Sequence, residues 1–125
     1  MARVLVIDDD KDTMRILEAK LTDAGYQVLQ AADGREGLEK AKLTKPDLIL
    51  LDVMMPEIDG LSLLRQLKFD AQTDKIPVVI MTAKGEKMEK LFEMEGAEAY
   101  LTKPFVFADL LDRIRASLGD KAEPS

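Results

Sequence analysis

The chain has 125 residues, 46% of them hydrophobic and 34% charged, with a net charge of −6. These values fit one globular domain with a single core and offer no clustered basic surface for gripping nucleic acid. The sequence contains no cysteine and no histidine, which excludes disulfides, thiolate metal sites, serine-type triads, common zinc sites and a histidine phosphodonor, and is compatible with a reducing cytoplasm.

The N-terminal MARVLVIDDD has no cleavage pattern of a signal peptide, and no apolar run is long enough to span a bilayer, so no membrane segment is expected. Arg3–Ile7 is an apolar, β-rich run and predicts the first strand. Met14, Leu17, Leu21 and Ala24 then recur at helical spacing, with Gly25 placed to end the helix at its C′ position. Gln27–Ala31 predicts the second strand. Asp33, followed three residues later by Glu36, has capping-box spacing and opens a helix to about Lys42. Asp47–Asp52 is the third and most apolar strand. A turn-rich VMMPEIDG follows, then a helix from Leu61 to Lys68 with Leu61, Leu64 and Leu67 on one side. PVVIMT predicts the fourth strand, a charged helix runs to about Met94, and AYLT is the fifth strand. Phe107, Leu110, Leu111, Ile114 and Leu118 form the stripe of a last helix ended by Gly119.

Strands alternating with helices over short connections predict an α/β domain with a parallel sheet covered by helices on both faces. The first, third and fourth strands are continuously apolar, as strands buried on both faces are. Residues 1–118 are expected to form the domain and residues 119–125 a disordered tail or linker.

The polar residues fall in one place on that scaffold. Asp8 and Asp9 follow the first strand, Asp52 ends the third, Thr82 follows the fourth and Lys103 follows the fifth. All stand at carboxyl ends of strands, where open α/β sheets bind ligands. Gathering acids has a cost: two ionised carboxylates about 4 Å apart repel by roughly 4 kcal/mol at an effective dielectric near 20. A hard cation offsets that cost, since Mg²⁺ prefers oxygen ligands and takes one or two carboxylates with waters and phosphate oxygens, and Mn²⁺ is the alternative. A carboxylate can also attack phosphorus, a transfer that needs alignment and charge neutralisation, which an ammonium and a hydroxyl supply.

Taken singly, each residue has a structural reading as well. Asp10 or Asp12 can cap the first helix, Asp52 can be a strand-end turn residue, and Thr82 can be an N-cap. Lys103 can be a solvated charge and Tyr100 a half-buried strand aromatic. Met54, Met55, Met81 and Met94 read as packing or partner-surface residues.

Taken together, the DD of Asp8 and Asp9, LLDVMMPEIDG at Leu50–Gly60, MTA at Met81–Ala83 and TKPF at Thr102–Phe105 resemble the response-regulator receiver domain of two-component signalling. The likeness runs from Ala2 to Leu118. It implies a flavodoxin-like (βα)5 sandwich with strand order 2-1-3-4-5. It further implies that Asp52 is the phosphoacceptor and that Asp8, Asp9, Asp52 and the Met54 carbonyl arrange Mg²⁺. Thr82, the Ala83 amide and Lys103 would contact the phosphoryl group, and Lys103-Pro104 would be a cis peptide. In such domains the threonine's movement is coupled to an aromatic, here Tyr100, which changes the surface of the fourth helix, fifth strand and fifth helix.

The resemblance implies a sensor histidine kinase or histidine phosphotransfer protein as phosphodonor, a downstream protein partner, and no direct contact of this domain with nucleic acid. It implies a domain that assists its own phosphorylation and dephosphorylation without being a turnover enzyme. Met54 and Lys84 follow site residues by two positions and carry no carboxylate or amide to position an attacking water, so self-dephosphorylation slower than in receivers with Asn or Glu there is expected.

Two outputs stay open: a stand-alone receiver, or the receiver of a DNA-binding regulator. Arg113, Arg115 and Glu98 partly match dimer-pairing charges of winged-helix regulators, whereas Ala99 stands where those carry Asp. Readings from other classes fit less well. An EF-hand begun at Asp8 has Thr13 where Gly is needed and Ala19 where Glu is needed. An aspartyl-phosphate-forming phosphatase motif begun at Asp8 ends in Asp12 instead of Thr, and no glycine-rich loop follows the first strand.

Overall fold

Five short apolar segments form parallel strands, β1 (Arg3–Ile7), β2 (Gln27–Ala31), β3 (Leu48–Asp52), β4 (Val78–Thr82) and β5 (Ala99–Thr102), in the order β2-β1-β3-β4-β5. Helices α1 (Lys11–Asp23), α2 (Gly34–Thr44), α3 (Gly60–Phe69), α4 (Glu89–Met94) and α5 (Phe107–Leu118) alternate with them. The computed structural model describes residues 1–52, 60–82 and 89–119. The expected flavodoxin-like architecture and strand order are therefore present. The expected 120–125 part of the tail lies outside the described residues.

Side chains of a strand alternate between faces, and that alternation divides the core in two. Val4, Val6, Leu48, Leu50, Val79 and Met81 face α1 and α5, where Met14, Leu17, Leu21, Leu110, Ile114 and Leu118 cover them. Leu5, Ile7, Ile49, Leu51, Val78 and Ile80 face the other way, onto Ala41 of α2, Leu63, Leu64 and Leu67 of α3, and Phe92 of α4. Both layers are almost free of polar side chains. Each fully buried Leu or Ile contributes about 1.5–3 kcal/mol of hydrophobic stabilisation, which holds the strand ends in fixed register.

Local chemistry sets the helix ends. Asp10 is the N-cap of α1, accepting from the Asp12 N–H at 3.0 Å and the Thr13 hydroxyl at 2.8 Å. At the other end Gly25 adopts φ 100°, and the Tyr26 and Gly25 N–H groups bond back to the Leu21 and Thr22 carbonyls, a Schellman closure. Asp33 caps α2 through the Glu36 N–H at 2.8 Å, while the Glu36 carboxylate accepts from the Ala32 N–H at 2.7 Å. Helix α2 runs two residues beyond the expected Lys42 because its end is held from afar. The Arg3 guanidinium donates to the Thr44 carbonyl and, at 3.0 Å, to that of Lys45, and Lys45 itself turns left-handed at φ 47°.

Tyr26 is 3% exposed, and its hydroxyl has no hydrogen-bond partner among the described residues. An unpaired buried hydroxyl costs about 1–3 kcal/mol, so Tyr26→Phe is expected to raise stability by about 1 kcal/mol in urea unfolding. Destabilisation by the substitution would show that the hydroxyl is bonded in solution.

Candidate functional site

The register of the sheet brings the polar strand ends together. Ile7 of β1 is level with Leu51 of β3, so the residues that follow them, Asp8 and Asp52, are level as well. Ile7 and Leu51 both face the α2–α3–α4 layer, and strict alternation turns Asp8 and Asp52 to the opposite side. The β4–β5 ladder continues one bond past the strands, the Lys103 N–H donating to the Thr82 carbonyl at 2.7 Å. Leu101 faces the α1–α5 layer, so Lys103, two residues on, emerges on the side of the two acids. The result is a 2.9 Å ion pair between Lys103 Nζ and Asp52 Oδ2, with side-chain exposures of 28% and 5%. The peptide that follows, Lys103-Pro104, is cis.

Asp8 is fully buried. Its amide donates to the Ala31 carbonyl at 3.1 Å and its Oδ1 accepts from the Asp10 N–H at 2.9 Å, while Oδ2 has no hydrogen-bond partner among the described residues. Burial pushes its carboxyl up to about 6 from 3.8, opposed by the Asp10 N–H and reinforced by the neighbouring charge of Asp52. A half-satisfied buried carboxylate beside a second carboxylate is an unfavourable arrangement that a hard cation would relieve. Asp8 Oδ2 is an oxygen donor free for such an ion, so the residues fit a Mg²⁺ or Mn²⁺ site. Among the described residues, however, no three acidic side chains are grouped tightly enough to enclose an ion, and Asp9 is exposed. The donor set thus suits a cation that keeps several waters.

Thr82 is fully buried at the end of β4. Tyr100 is half-buried in β5, its ring 5.7 Å from that of Phe92 at a 39° tilt. Phe92, the aromatic of α4, is the ring that Tyr100 packs against, a pairing that local sequence spacing does not mark. Its hydroxyl is held above the usual tyrosine range by burial and by the Glu89 carboxylate. Met54, Ala83 and Lys84 lie outside the described residues. Asp10, with a carboxyl held below its ordinary range by the Thr13 hydroxyl and the Asp12 amide, serves as a helix cap.

The raised Asp8 carboxyl has a stability consequence with a definite sign. The folded chain holds this proton more tightly than the unfolded chain. Its stabilising contribution is therefore complete below about pH 3.8 and lost as pH rises through about 6. With a chelator present, Asp8→Asn is expected to be more stable than wild type at neutral pH, by at most about 3 kcal/mol. The difference should close near pH 4 in urea unfolding. Parallel pH profiles for the two proteins would contradict the assignment.

Comparison with known proteins matches residues 4–115 to the response regulator receiver domain family. Protein PilH of Pseudomonas aeruginosa is 43% identical over 119 residues, covering 94% of this chain and 98% of PilH. The alkaline phosphatase synthesis transcriptional regulatory protein PhoP of Bacillus subtilis is 41% identical over 117 residues, covering 93% of this chain and 48% of PhoP. The chain thus spans about half the length of several curated relatives that it matches. Among solved structures, the receiver domain of sensor histidine kinase PA1611 from P. aeruginosa, with magnesium coordinated in its active-site cleft, superimposes with a TM-score of 0.86 at 28% identity, covering 95% of this chain and 98% of that one.

Proposed function

Because the chain belongs to the response regulator receiver domain family of two-component systems, we propose that it accepts a phosphoryl group on Asp52 from a histidine kinase or histidine phosphotransfer protein. The observation that carries this reading is the buried Asp52 carboxylate, ion-paired at 2.9 Å to Lys103 and level with the half-satisfied Asp8. An Asp52 oxygen forms the new bond to phosphorus as the phosphorus–nitrogen bond to the donor imidazole breaks, leaving a mixed anhydride on Asp52 and a neutral imidazole once that ring takes up a proton. Lys103 Nζ, released from Asp52 as its charge moves outward, pairs with a phosphoryl oxygen. Thr82 donates its hydroxyl to another. Asp8 and Asp52, with Asp9 at the exposed rim, would hold Mg²⁺ or Mn²⁺, which when bound neutralises charge on the phosphoryl oxygens.

The output follows from Tyr100 and Phe92. Both pack in the layer that joins β5 to α4, so a shift at Thr82 reaches that surface through neighbouring side chains and biases which partner it fits. PilH, of nearly the same length, supports a stand-alone receiver that signals through a downstream protein. PhoP, about twice as long, supports the receiver of a transcriptional regulator as the second reading. In either case the domain assists its own phosphorylation and dephosphorylation and is not a turnover enzyme. No described helix is long and apolar enough to cross a membrane, which accords with action in the cytoplasm.

Incubation with acetyl phosphate and Mg²⁺ is expected to add the mass of one phosphoryl group, mapped to Asp52 and absent from Asp52→Asn. An unmodified chain, or a modification that persists in Asp52→Asn, would overturn the reading. In the same preparations Mg²⁺ at about 100 times its Kd should stabilise the wild type by about 2.7 kcal/mol. Asp8→Asn and Asp9→Ala should lose most of that increment.

A further inference from the structure

Asp10 is no ligand of the proposed cation, yet it stands between Asp8 and helix α1, which starts at Lys11. The first turn of a helix presents amide donors that no helical carbonyl accepts, and it readily binds anions. A buried carboxylate just ahead of such a turn would ordinarily accept several of those donors. No oxygen would then be left for a metal ion.

In this chain Asp10 takes donors of the first turn itself. Its Oδ1 accepts from the Asp12 N–H at 3.0 Å and its Oδ2 from the Thr13 hydroxyl at 2.8 Å. Its carbonyl receives the first helical bond, from the Met14 N–H at 3.0 Å. With side chain and carbonyl both tied to the first turn, the Asp10 backbone is fixed at φ −88° and ψ 110°, and one direction is left to its own N–H. That amide donates to Asp8 Oδ1 at 2.9 Å. Asp8 Oδ2, fully buried, keeps no hydrogen-bond partner among the described residues. Thr13, Asp10 and Asp8 therefore form a chain of hydrogen bonds that leads from the surface of α1 to a buried, unpaired oxygen.

We infer that Asp10 and Thr13 are positioning residues for the cation site. Asp10 withholds the first turn of α1 from Asp8 and aims its own amide at Oδ1, so that Oδ2 is kept for the ion, and Thr13 fixes Asp10. The inference rests on the reading that Asp8 helps to hold Mg²⁺ or Mn²⁺. Neither positioning residue touches the ion, but partners that orient a ligand govern metal affinity nearly as strongly as the ligand does. Thr13 is uncharged, so its contribution is orientation alone.

Titration of the metal-free full chain with MgCl2, followed by amide NMR shifts, gives the Mg²⁺ Kd. Thr13→Val keeps the shape of the side chain and changes no charge. It should raise the Kd about fivefold, the worth of one hydrogen bond, and quicken hydrogen exchange at the Asp10 amide. Thr13→Ser keeps the donor and should bind as wild type does. Asp10→Ala should raise the Kd at least about tenfold, whereas Asp10→Asn, which still caps the helix, should stay close to wild type. Asp33→Ala removes the corresponding cap and charge from α2; it should lower stability in urea as Asp10→Ala does, with Mg²⁺ affinity unchanged. Thr13→Val binding Mg²⁺ as tightly as wild type would overturn the inference. So would Asp10→Asn as weak as Asp10→Ala, or an equal loss of affinity in Asp33→Ala. A wild type that binds Mg²⁺ no better than Asp8→Asn does would overturn the cation reading itself, and this inference with it.

Discussion

Asp52 ends β3 and Asp8 follows β1 at the same level, and the Lys103 ammonium hydrogen-bonds Asp52 at 2.9 Å while Asp8 Oδ2 has no hydrogen-bond partner among the described residues. Everything else at this edge follows from that uneven compensation. Lys103 and Asp52 form a nearly closed pair. Asp8 has the Asp10 amide on one oxygen and burial against it, so its proton is held to about pH 6. Removing either partner of a buried pair leaves a charge without its counterion, which costs about 3–5 kcal/mol. The arrangement persists because the buried apolar packing of the sheet beneath it offsets that cost.

That stability is structural in a specific sense. Strands β3 and β4 are buried along their whole length, and helices on both faces leave no room for a register slip, which would invert every side chain. Gly37 of α2 shows how close the layers lie: a Cβ there would stand 2.5 Å from Ile7 Cδ1, directly before Asp8. The site is thus placed by core packing while its charges remain adjustable. Tyr100 and Phe92 connect it with α4, whose C-terminal end is held by the Arg65–Glu95 pair.

Much of this was legible from local patterns. The bounds of β1, β2 and β5 followed from runs of apolar residues, the Asp33 cap from its spacing to Glu36, and the left-handed Gly25 from its place after an amphipathic stripe. Strand order came from resemblance, since crossover helices fix parallel pairing but do not say which strands adjoin. What stayed hidden depends on distant partners. The two extra residues of α2 are held by Arg3, 41 positions away from Thr44. The Thr73 hydroxyl is buried against the Leu67 carbonyl at 2.6 Å in a turn that composition marks only as polar. Adjacent aspartates look equivalent in a sequence, yet backbone alternation buries Asp8 and exposes Asp9. The exposed Phe69 is likewise indistinguishable from a core residue until its helix is seen to end there.

Phosphoryl acceptance at this edge requires Asp52 to be the point where the incoming group meets Lys103, beside an Asp8 oxygen available to a cation. A crystal structure of the chain grown with Mg²⁺ and beryllium fluoride, a phosphoryl mimic that bonds to carboxylates, tests this most directly. The expected result is beryllium on an Asp52 oxygen, Lys103 Nζ moved from the carboxylate to a fluorine, and Mg²⁺ on the side of Asp8 Oδ2. An intact Lys103–Asp52 pair in that structure, with fluoride density elsewhere or none, would contradict it.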